Sequence, residues 1–290
     1  MYAITGITGK VGGELARTLL ARGEPVRAVV RDTTKGEAWS ARGCEVALAD
    51  MEDAAALTAA FKGATAAFIL APSEFDPAPG YPEAKRVIDA VAIALRAARP
   101  QRVLCLSTIG GDATRDNLLT QRTMLEKAVT ALDLPVTILR PSWFMENALW
   151  DVPSARDAGV IHSFLHPAGK PFPMVATKDV GRMAADLIVE DTAGTRVVEL
   201  EGPRRVSPND LALAFGRALG KPVRIEIVDR AGWEDLFRSQ GMQHPGPRIA
   251  MLDGFNEGWI EFEDAGAKAL RGQIDLDTVI ATLVAGADRK

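Results

Sequence analysis

Tyr2-Ala3-Ile4-Thr5-Gly6-Ile7-Thr8-Gly9-Lys10-Val11-Gly12 opens the chain, and the glycine spacing in this stretch decides the fold. A short apolar strand runs into a turn with glycine at every third position, and helical periodicity follows at once. Leu15, Leu19 and Leu20 fall at helical spacing between Val11 and Arg22, with Gly23 placed as a C-terminal cap. Gly6 lets the backbone turn sharply, Gly9 lets it approach a pyrophosphate with no side chain in the way, and Gly12 lets the helix pack close to the strand. The N-terminus of such a helix presents unpaired N–H groups and a partial positive charge to an anion. The stretch therefore reads as a cradle for the diphosphate of a dinucleotide.

The next strand, read over Pro25 to Val30, ends at Arg31. In a dinucleotide fold a carboxylate at this tip selects a free ribose 2′-hydroxyl, whereas an arginine accommodates a 2′-phosphate. A planar guanidinium grips a phosphate at two points, and Lys35 on the following loop adds a second cation. The pair favours NADP(H) over NAD(H). Asp32 offers the opposite chemistry, since a rotated loop would turn that carboxylate to the ribose and admit NAD(H).

Short strands and helices go on alternating: a strand from Glu45 to Ala49 ending at Asp50, a helix from Ala55 to Phe61, and a strand from Ala66 to Ala71 stopped by Pro72. A loop from Ser73 to Gly80 leads to a helix from Pro82 to Arg99, a strand from Arg102 to Ser107, a helix from Leu119 to Leu132 and a strand from Val136 to Arg140. Near-continuous apolar strands separated by helices predict an α/β fold, a doubly wound parallel sheet of Rossmann type. Its ligand crevice lies at the carboxyl ends of the strands, which brings Gly6 to Gly12, Arg31, Asp50, Ala71 with Pro72, and Ser107 with Thr108 to one side. The expected division is a dinucleotide-binding domain over 1–150 and a smaller α/β substrate-binding or cap region over 151–290, with strands free to return to the main sheet. Pro153, Pro167, Pro171 and Pro173 predict an irregular cap after Trp150. His162 and His166 stand four apart, but Pro167 argues against the helix a metal pair would need, so no metal is expected. Ser207 with Pro208 predicts a helix ending at Gly220, then a strand from Val223 to Val228. Trp233, Phe237, Phe255, Trp259 and Phe262 read as packing positions of later helices.

With 290 residues, 47% hydrophobic and 25% charged, and a net charge of -4, the composition is that of a globular enzyme-sized chain. Its interspersed charges lack the basic concentration that nucleic-acid binding needs. No stretch reaches the length of a membrane span, and the first strand leaves no room for a signal peptide, so the expected compartment is the cytoplasm. Cys44 and Cys105 lie in apolar strand contexts and read as small buried hydrophobes.

The motifs TGITGKVG, VVRD, LADMED, LSTIGG and ILRPSWFMEN (Ile138 to Asn147) resemble the NmrA-like branch of the atypical short-chain dehydrogenase/reductases. The later stretches ATKDVGRMAADLI (Ala176 to Ile188) and VVELEGPRRVSPNDLALAFGRALGKPV (Val197 to Val223) extend the resemblance over nearly the whole chain. The family binds NAD(P)(H) and includes quinone reductases, phenylpropanoid-type reductases and redox-sensing regulators that do not turn the dinucleotide over. The resemblance implies that Gly6, Thr8, Gly9, Lys10 and Val11 contact the diphosphate and Arg31 the 2′-phosphate. It implies Asp50 with Met51 at the adenine edge, Leu70, Ala71 and Pro72 on the ribose side, and Ser107 and Thr108 at the nicotinamide ribose. Trp143, Phe144 and Asn147 are the expected wall of an acceptor pocket.

One departure bears on mechanism. Short-chain dehydrogenases supply a tyrosine and, one helical turn later, a lysine that lowers the phenol's pKa. This chain has two tyrosines, Tyr2 and Tyr81, and counting back from the family's glutamate at Glu126 puts Leu118 at the tyrosine position and Arg122 at the lysine position. Leucine donates no proton, and an arginine is too basic to titrate as an acid. Reduction of a quinone tolerates this loss, because the hydroquinone anion takes its second proton from water. The expectation is an NADP(H)-binding oxidoreductase serving a quinone or similar small-molecule acceptor, with Ser107, Thr108 and Arg122 as catalytic candidates and room for a homodimer. The alternative is a non-catalytic dinucleotide sensor with a protein partner.

Overall fold

The computed structural model describes residues 1–287. Strand β1 (Tyr2–Ile4) passes through the glycine turn into α1 (Lys10–Ala21), and β2 (Val26–Val30) follows. Helix α2 (Thr33–Ser40) occupies the segment read from sequence as a loop, because the Asp32 carboxylate accepts the Lys35 N–H and starts a helix there. Then come β3 (Glu45–Leu48), α3 (Ala54–Phe61), β4 (Ala66–Ile69), α4 (Pro82–Ala98), β5 (Arg102–Leu106), α5 (Thr120–Thr130) and β6 (Val136–Pro141). Beyond these lie β7 (Trp143–Phe144), a 3-10 segment Met145–Asp151, α6 (Val152–Ala158), β8 (Val160–Ser163), β9 (Met174–Val175), α7 (Thr177–Val189) and β10 (Thr195–Glu201). The described chain finishes with α8 (Pro208–Leu219), β11 (Arg224–Ile227), α9 (Trp233–Ser239), α10 (Gly246–Glu257), β12 (Leu270–Arg271) and α11 (Leu276–Ala287).

Among the described residues eight strands form one sheet in the order β12-β10-β6-β5-β4-β1-β2-β3. The strands pair in parallel, as a chain of strand–helix crossovers requires. Strand order reverses between β1 and β4, the switch point at which doubly wound sheets bind ligands.

The chain divides into two compact units. The first holds 1–112, 119–140 and 180–198. Its core is built from the alternately dealt faces of β1, β4, β5 and β6 against α3, α4 and α5, with Leu57, Phe61, Val91 and Leu95 fully buried. The second unit holds 113–118, 141–179 and the described residues from 199 on, and so takes in some residues before 150, while 180–198 fall in the first. Trp233, Phe215 and Phe237 are fully buried in it, with Phe164 edge-on to Trp233 at 5.5 Å.

The stretch after Trp150 is regular as far as Ser163 and irregular over 164–173, where Pro167, Pro171 and Pro173 fall. Pro153 falls in the first turn of α6, where a missing N–H costs nothing, and Gly159 at φ +66° closes the helix. Val160–Ser163 then pairs in parallel with Arg224–Ile227, so His162 sits on an exposed strand position.

Helix α8 carries the sequence-read start and stop in full. The Ser207 hydroxyl accepts the Asp210 N–H at 3.1 Å, the Asp210 carboxylate accepts the Ser207 N–H at 2.8 Å, and Gly220 adopts φ +65° at the far end. Replacing Ser207→Ala removes one half of this exchange and is expected to cost about 1 kcal/mol. A urea titration should show the midpoint fall with unchanged slope; an unmoved midpoint would mean that the cap contributes nothing to global stability.

Candidate functional site

The carboxyl ends of β1 and β4 are joined by one side chain. Thr5, fully buried, donates its hydroxyl to the Phe68 carbonyl at 2.9 Å and accepts the Leu70 N–H at 2.8 Å, while its own N–H bonds the same Phe68 carbonyl at 3.1 Å. The stitch holds the two strands where their connections diverge to opposite faces of the sheet, and so fixes the floor of the crevice.

Above it the glycine turn is shaped by contact. Gly6 adopts φ +62°, and a Cβ there would stand 2.8 Å from a Leu70 methyl, so only glycine fits both the angle and the space. A Cβ at Gly12 would drive into the Gly6 carbonyl. The Gly9 N–H bonds Gly6 C=O at 3.0 Å, and the next turn bond is Gly13 N–H to Gly9 C=O at 2.9 Å. Among the described residues the amides of Lys10, Val11 and Gly12 between them have no partner. No side chain caps α1 and its first turn holds no acid, in contrast to α2, α3 and α8, each capped by an Asp or Ser. Thr8, Gly9 and Lys10 are exposed along this edge, whereas the Val11 side chain is in the core and offers only its amide. An uncapped helix start with a glycine approach fits a diphosphate.

At the tip of β2, Arg31 is exposed. Asp32 is committed: its Oδ1 accepts the Lys35 N–H at 2.8 Å, its Oδ2 stands 3.4 Å from Lys35 Nζ, and the backbone bond chiefly holds its carboxyl below the usual range. Lys35 is thus partly engaged by Asp32, whereas Arg31, whose charge also helps to lower the Asp32 pKa, makes no hydrogen bond or ion pair among the described residues. Asp50 is exposed and accepts the Glu52 N–H at 2.9 Å, and Met51 leans half-buried on the core.

Arg122 points back at the loop after β4. Its Nη2 donates to the Ala71 carbonyl at 2.9 Å and to Ser73 Oγ at 2.5 Å, and burial pulls its pKa down. Beside it Gln121 accepts the Glu74 N–H at 3.1 Å and donates to the Glu74 carbonyl at 2.8 Å. The first turn of α5 therefore clasps the loop that begins Leu70, Ala71 and Pro72. Half-buried Leu70 packs on Gly6, Ala71 is buried, and Pro72 is exposed.

Behind the end of β5 lies a buried ion pair. Arg140 donates Nε to Glu126 Oε1 at 2.9 Å and Nη2 to Oε2 at 2.7 Å, and its Nη1 stands 3.0 Å from Asp112. Burial opposes the Arg140 charge, but the bonds and charges of Glu126 and then Asp112 outweigh it and hold the pKa above its ordinary value. Ser107 donates its hydroxyl to Glu126 Oε1. Its proton is therefore spent, and its lone pairs alone remain for a ligand. Gly111 must be glycine, since a Cβ would meet the Glu126 carboxylate and Ser107 Oγ. Thr108 is half-buried at the same strand end. Cys105, one strand position back, is fully buried, and that burial pushes its thiol up to about 12.

In the second unit Trp143 and Phe144 are half-buried on β7 and Asn147 is exposed, with Trp143 edge-on to Phe255 at 5.2 Å. Leu118, at the tyrosine position, is buried and its N–H donates to the Pro247 carbonyl at 2.8 Å. His162 Nδ1 lies 3.7 Å from Glu226, and His166 donates its N–H to Asn256 Oδ1 at 2.9 Å. Among the described residues no group of three or more His, Cys, Asp and Glu gathers to hold a metal ion, and no helix is long and apolar enough to cross a membrane.

Sequence reading missed Thr5, Gln121 and the role of Glu146, whose carboxylate accepts both the N–H (2.9 Å) and the hydroxyl (2.5 Å) of Thr177 at the start of α7. Each acts across more than 30 residues of chain, and no local pattern announces such a partner. A polar residue inside an otherwise apolar strand end, as Thr5 is, was the one available signal.

The model of the NmrA-like family matches residues 2–245. Quinone oxidoreductase 2 of Escherichia coli (strain K12) is 29% identical over 245 residues, covering 83% of this chain and 82% of its own. A (4-alkanoyl-5-oxo-2,5-dihydrofuran-3-yl)methyl phosphate reductase of Streptomyces griseus is 30% identical over 228 residues, covering 78% of this chain and 76% of its own. Among solved structures, an NADPH-dependent quinone oxidoreductase of Escherichia coli complexed with NADPH superposes with a TM-score of 0.80 at 26% identity over 98% of this chain and 99% of that one.

Three outcomes follow from this geometry. Glu126→Ala strands a buried guanidinium and is expected to cost about 3–5 kcal/mol, read as a large fall in the urea midpoint; a loss below 1 kcal/mol would show the pair to be solvated. The native Cys105 thiol should resist iodoacetamide at pH 8 and react only on unfolding, because almost none is thiolate there; stoichiometric native labelling at Cys105 would contradict its burial. Asp151, whose carboxyl burial raises to about 7, is easier to ionise unfolded than folded. Its contribution is present below its unfolded value of 3.8 and lost as pH rises through 7. Stability of Asp151→Asn should therefore vary less between pH 4 and 8 than that of the wild type.

Proposed function

The chain belongs to the NmrA-like family, and from that premise we propose that it is an NADP(H)-dependent oxidoreductase that reduces a quinone or similarly activated acceptor without a tyrosine–lysine pair. The observation that carries the reading is the uncapped start of α1, where three amides behind a glycine turn lack partners among the described residues. A helix start leaves its first N–H groups open, and behind a glycine turn that lets a ligand approach the backbone they suit an anion. Relatives named as a quinone oxidoreductase, a (4-alkanoyl-5-oxo-2,5-dihydrofuran-3-yl)methyl phosphate reductase and an NAD(P)H azoreductase support the same class.

The amides of Lys10, Val11 and Gly12 and the bare backbone at Gly9 would bind the diphosphate. Arg31, which Asp32 does not hydrogen-bond, would grip the 2′-phosphate. Asp50 and Met51 would border the adenine, and Leu70, Ala71 and Pro72 the ribose, on a loop whose position Arg122 and Gln121 set. Ser107, its proton given to Glu126, would accept a hydrogen bond from a ribose hydroxyl and act as a positioning group. Bound NADPH supplies a hydride, so the acceptor gains two electrons and one proton. Leu118 has no proton to give, and Arg122 stays a cation bonded to Ala71 and Ser73, so the second proton comes from water. Acceptors whose reduced anion is stable suit this arrangement, and simple ketones do not. Trp143, Phe144 and Asn147 are the proposed acceptor contacts.

Adding the protein to NADPH and following cofactor emission, then adding menadione, tests the proposal directly. Expected are an emission change on binding and decay on addition of the quinone. Binding without decay would favour a dinucleotide sensor, and no binding would undo the cofactor assignment. Arg31→Glu should weaken NADPH binding by about tenfold or more while changing NADH binding little; equal losses for both would remove Arg31 from the 2′-phosphate site.

A further inference from the structure

Most arginines of the first unit answer to an acid. Arg22 bonds Asp186 at 2.5 Å, Arg27 bonds Glu45 at 2.7 Å, Arg86 bonds Glu52 at 3.0 Å and Arg140 bonds Glu126 at 2.7 Å. Arg31, Arg42 and Arg96, which lack one, stand exposed to water. Arg122 lacks one too, yet it is half-buried. Its two hydrogen bonds, to the Ala71 carbonyl at 2.9 Å and Ser73 Oγ at 2.5 Å, both leave from Nη2, and its Nε and Nη1 have no partner among the described residues. Burial is the chief influence on its charge, and the other is the thiol of Cys105 rather than any carboxylate. A carbonyl and a hydroxyl are dipoles, so a full positive charge persists on the guanidinium.

Strand order gives that charge a place along a bound dinucleotide. Across the crevice the strands run β5-β4-β1-β2. Arg31 at the tip of β2 suits the 2′-phosphate of the adenosine half, and the open amides of α1, after β1, suit the diphosphate. A dinucleotide laid over these two points has its nicotinamide half on the side of β4 and β5. Arg122 holds the Ala71 carbonyl, two residues past the end of β4, and its charge acts on Cys105 of β5. All of these groups belong to the first unit.

We propose that the Arg122 charge makes the site select the oxidation state of its cofactor, holding NADPH more tightly than NADP⁺. The adenosine, the phosphates and the riboses are the same in both forms, whereas the nicotinamide ring is neutral when reduced and a cation when oxidised. A fixed guanidinium on the nicotinamide side repels the oxidised ring alone, and its partial burial weakens screening by salt. Transfer of a hydride, one proton with two electrons, to an acceptor converts NADPH to NADP⁺, so the same charge favours release of the spent cofactor. The inference rests on the NADP(H) assignment made above and adds to it a preference between the two forms.

Calorimetric titration of NADPH and NADP⁺ into wild type, Arg122→Met, Arg122→Lys and Ser73→Ala tests it. Taking the ratio of the two affinities cancels whatever a loosened loop costs both forms. Wild type should hold NADPH about tenfold or more tighter than NADP⁺. Arg122→Met should shrink that ratio by about tenfold, Arg122→Lys should keep most of it, and Ser73→Ala, which cuts one bond of the clasp and keeps the charge, should leave it within about twofold. An equal loss for both forms in Arg122→Met overturns the proposal, because it marks Arg122 as a prop for the loop or a ligand of a phosphate. A wild-type ratio near one overturns it as well, and so does a ratio that shrinks as far in Ser73→Ala as in Arg122→Met. Protein that binds neither form sinks the cofactor assignment and this proposal with it. A ratio that depends on Arg122 in a protein that never oxidises NADPH with menadione sinks the reductase reading and leaves the selection standing.

Discussion

The hydroxyl of Thr5 holds together the part of the sheet on which the crevice depends. A doubly wound sheet must part its connections between two neighbouring strands, and there the strand ends lose the crossover helices that elsewhere tie them. Thr5 answers with a donor and an acceptor on one oxygen, bonding the Phe68 carbonyl and the Leu70 amide. The Leu70 side chain is then set against Gly6, so the strand end, the glycine turn and the start of α1 form one rigid edge. With that edge fixed, the open amides of α1 point at a defined place.

Asp32, Asp53 and Ser207 satisfy the starts of their helices with side-chain oxygens. The start of α1, like those of α4, α5, α6, α9 and α10, is given no such oxygen, and α1 is the one of these that follows the glycine turn. Local stability is forgone at α1, and the unsatisfied donors become affinity for an anion.

Behind the ends of β4 and β5 the polar groups act as scaffolding. Arg122 and Gln121 fasten the loop after β4, while Glu126 binds Arg140 and orients Ser107. None of these groups is placed to move a proton to a ligand. In the reductase proposed above, such groups would favour acceptors whose own reduced form carries charge.

The local sequence determined whatever depends on neighbours in the chain. Strand β1, the glycine turn and α1 were legible because period and glycine spacing act within a dozen residues, and the same holds for the alternation through β6 and for the Ser207 cap. Proline content misled at α6, where one proline sits harmlessly in a first turn, and α2 was hidden until Asp32 proved to be its cap. The candidate residues Arg31, Asp50 and Ser107 could be placed at strand ends from sequence, but their hydrogen-bond partners could not. Only the tertiary structure decided that Thr5 bridges β1 to β4 and that Arg122 bonds Ala71 and Ser73. A side chain's chemistry is fixed by its covalent structure, whereas its partner is fixed by which distant segments the sheet brings within 3 Å, and that proximity is not written in any one stretch of the chain.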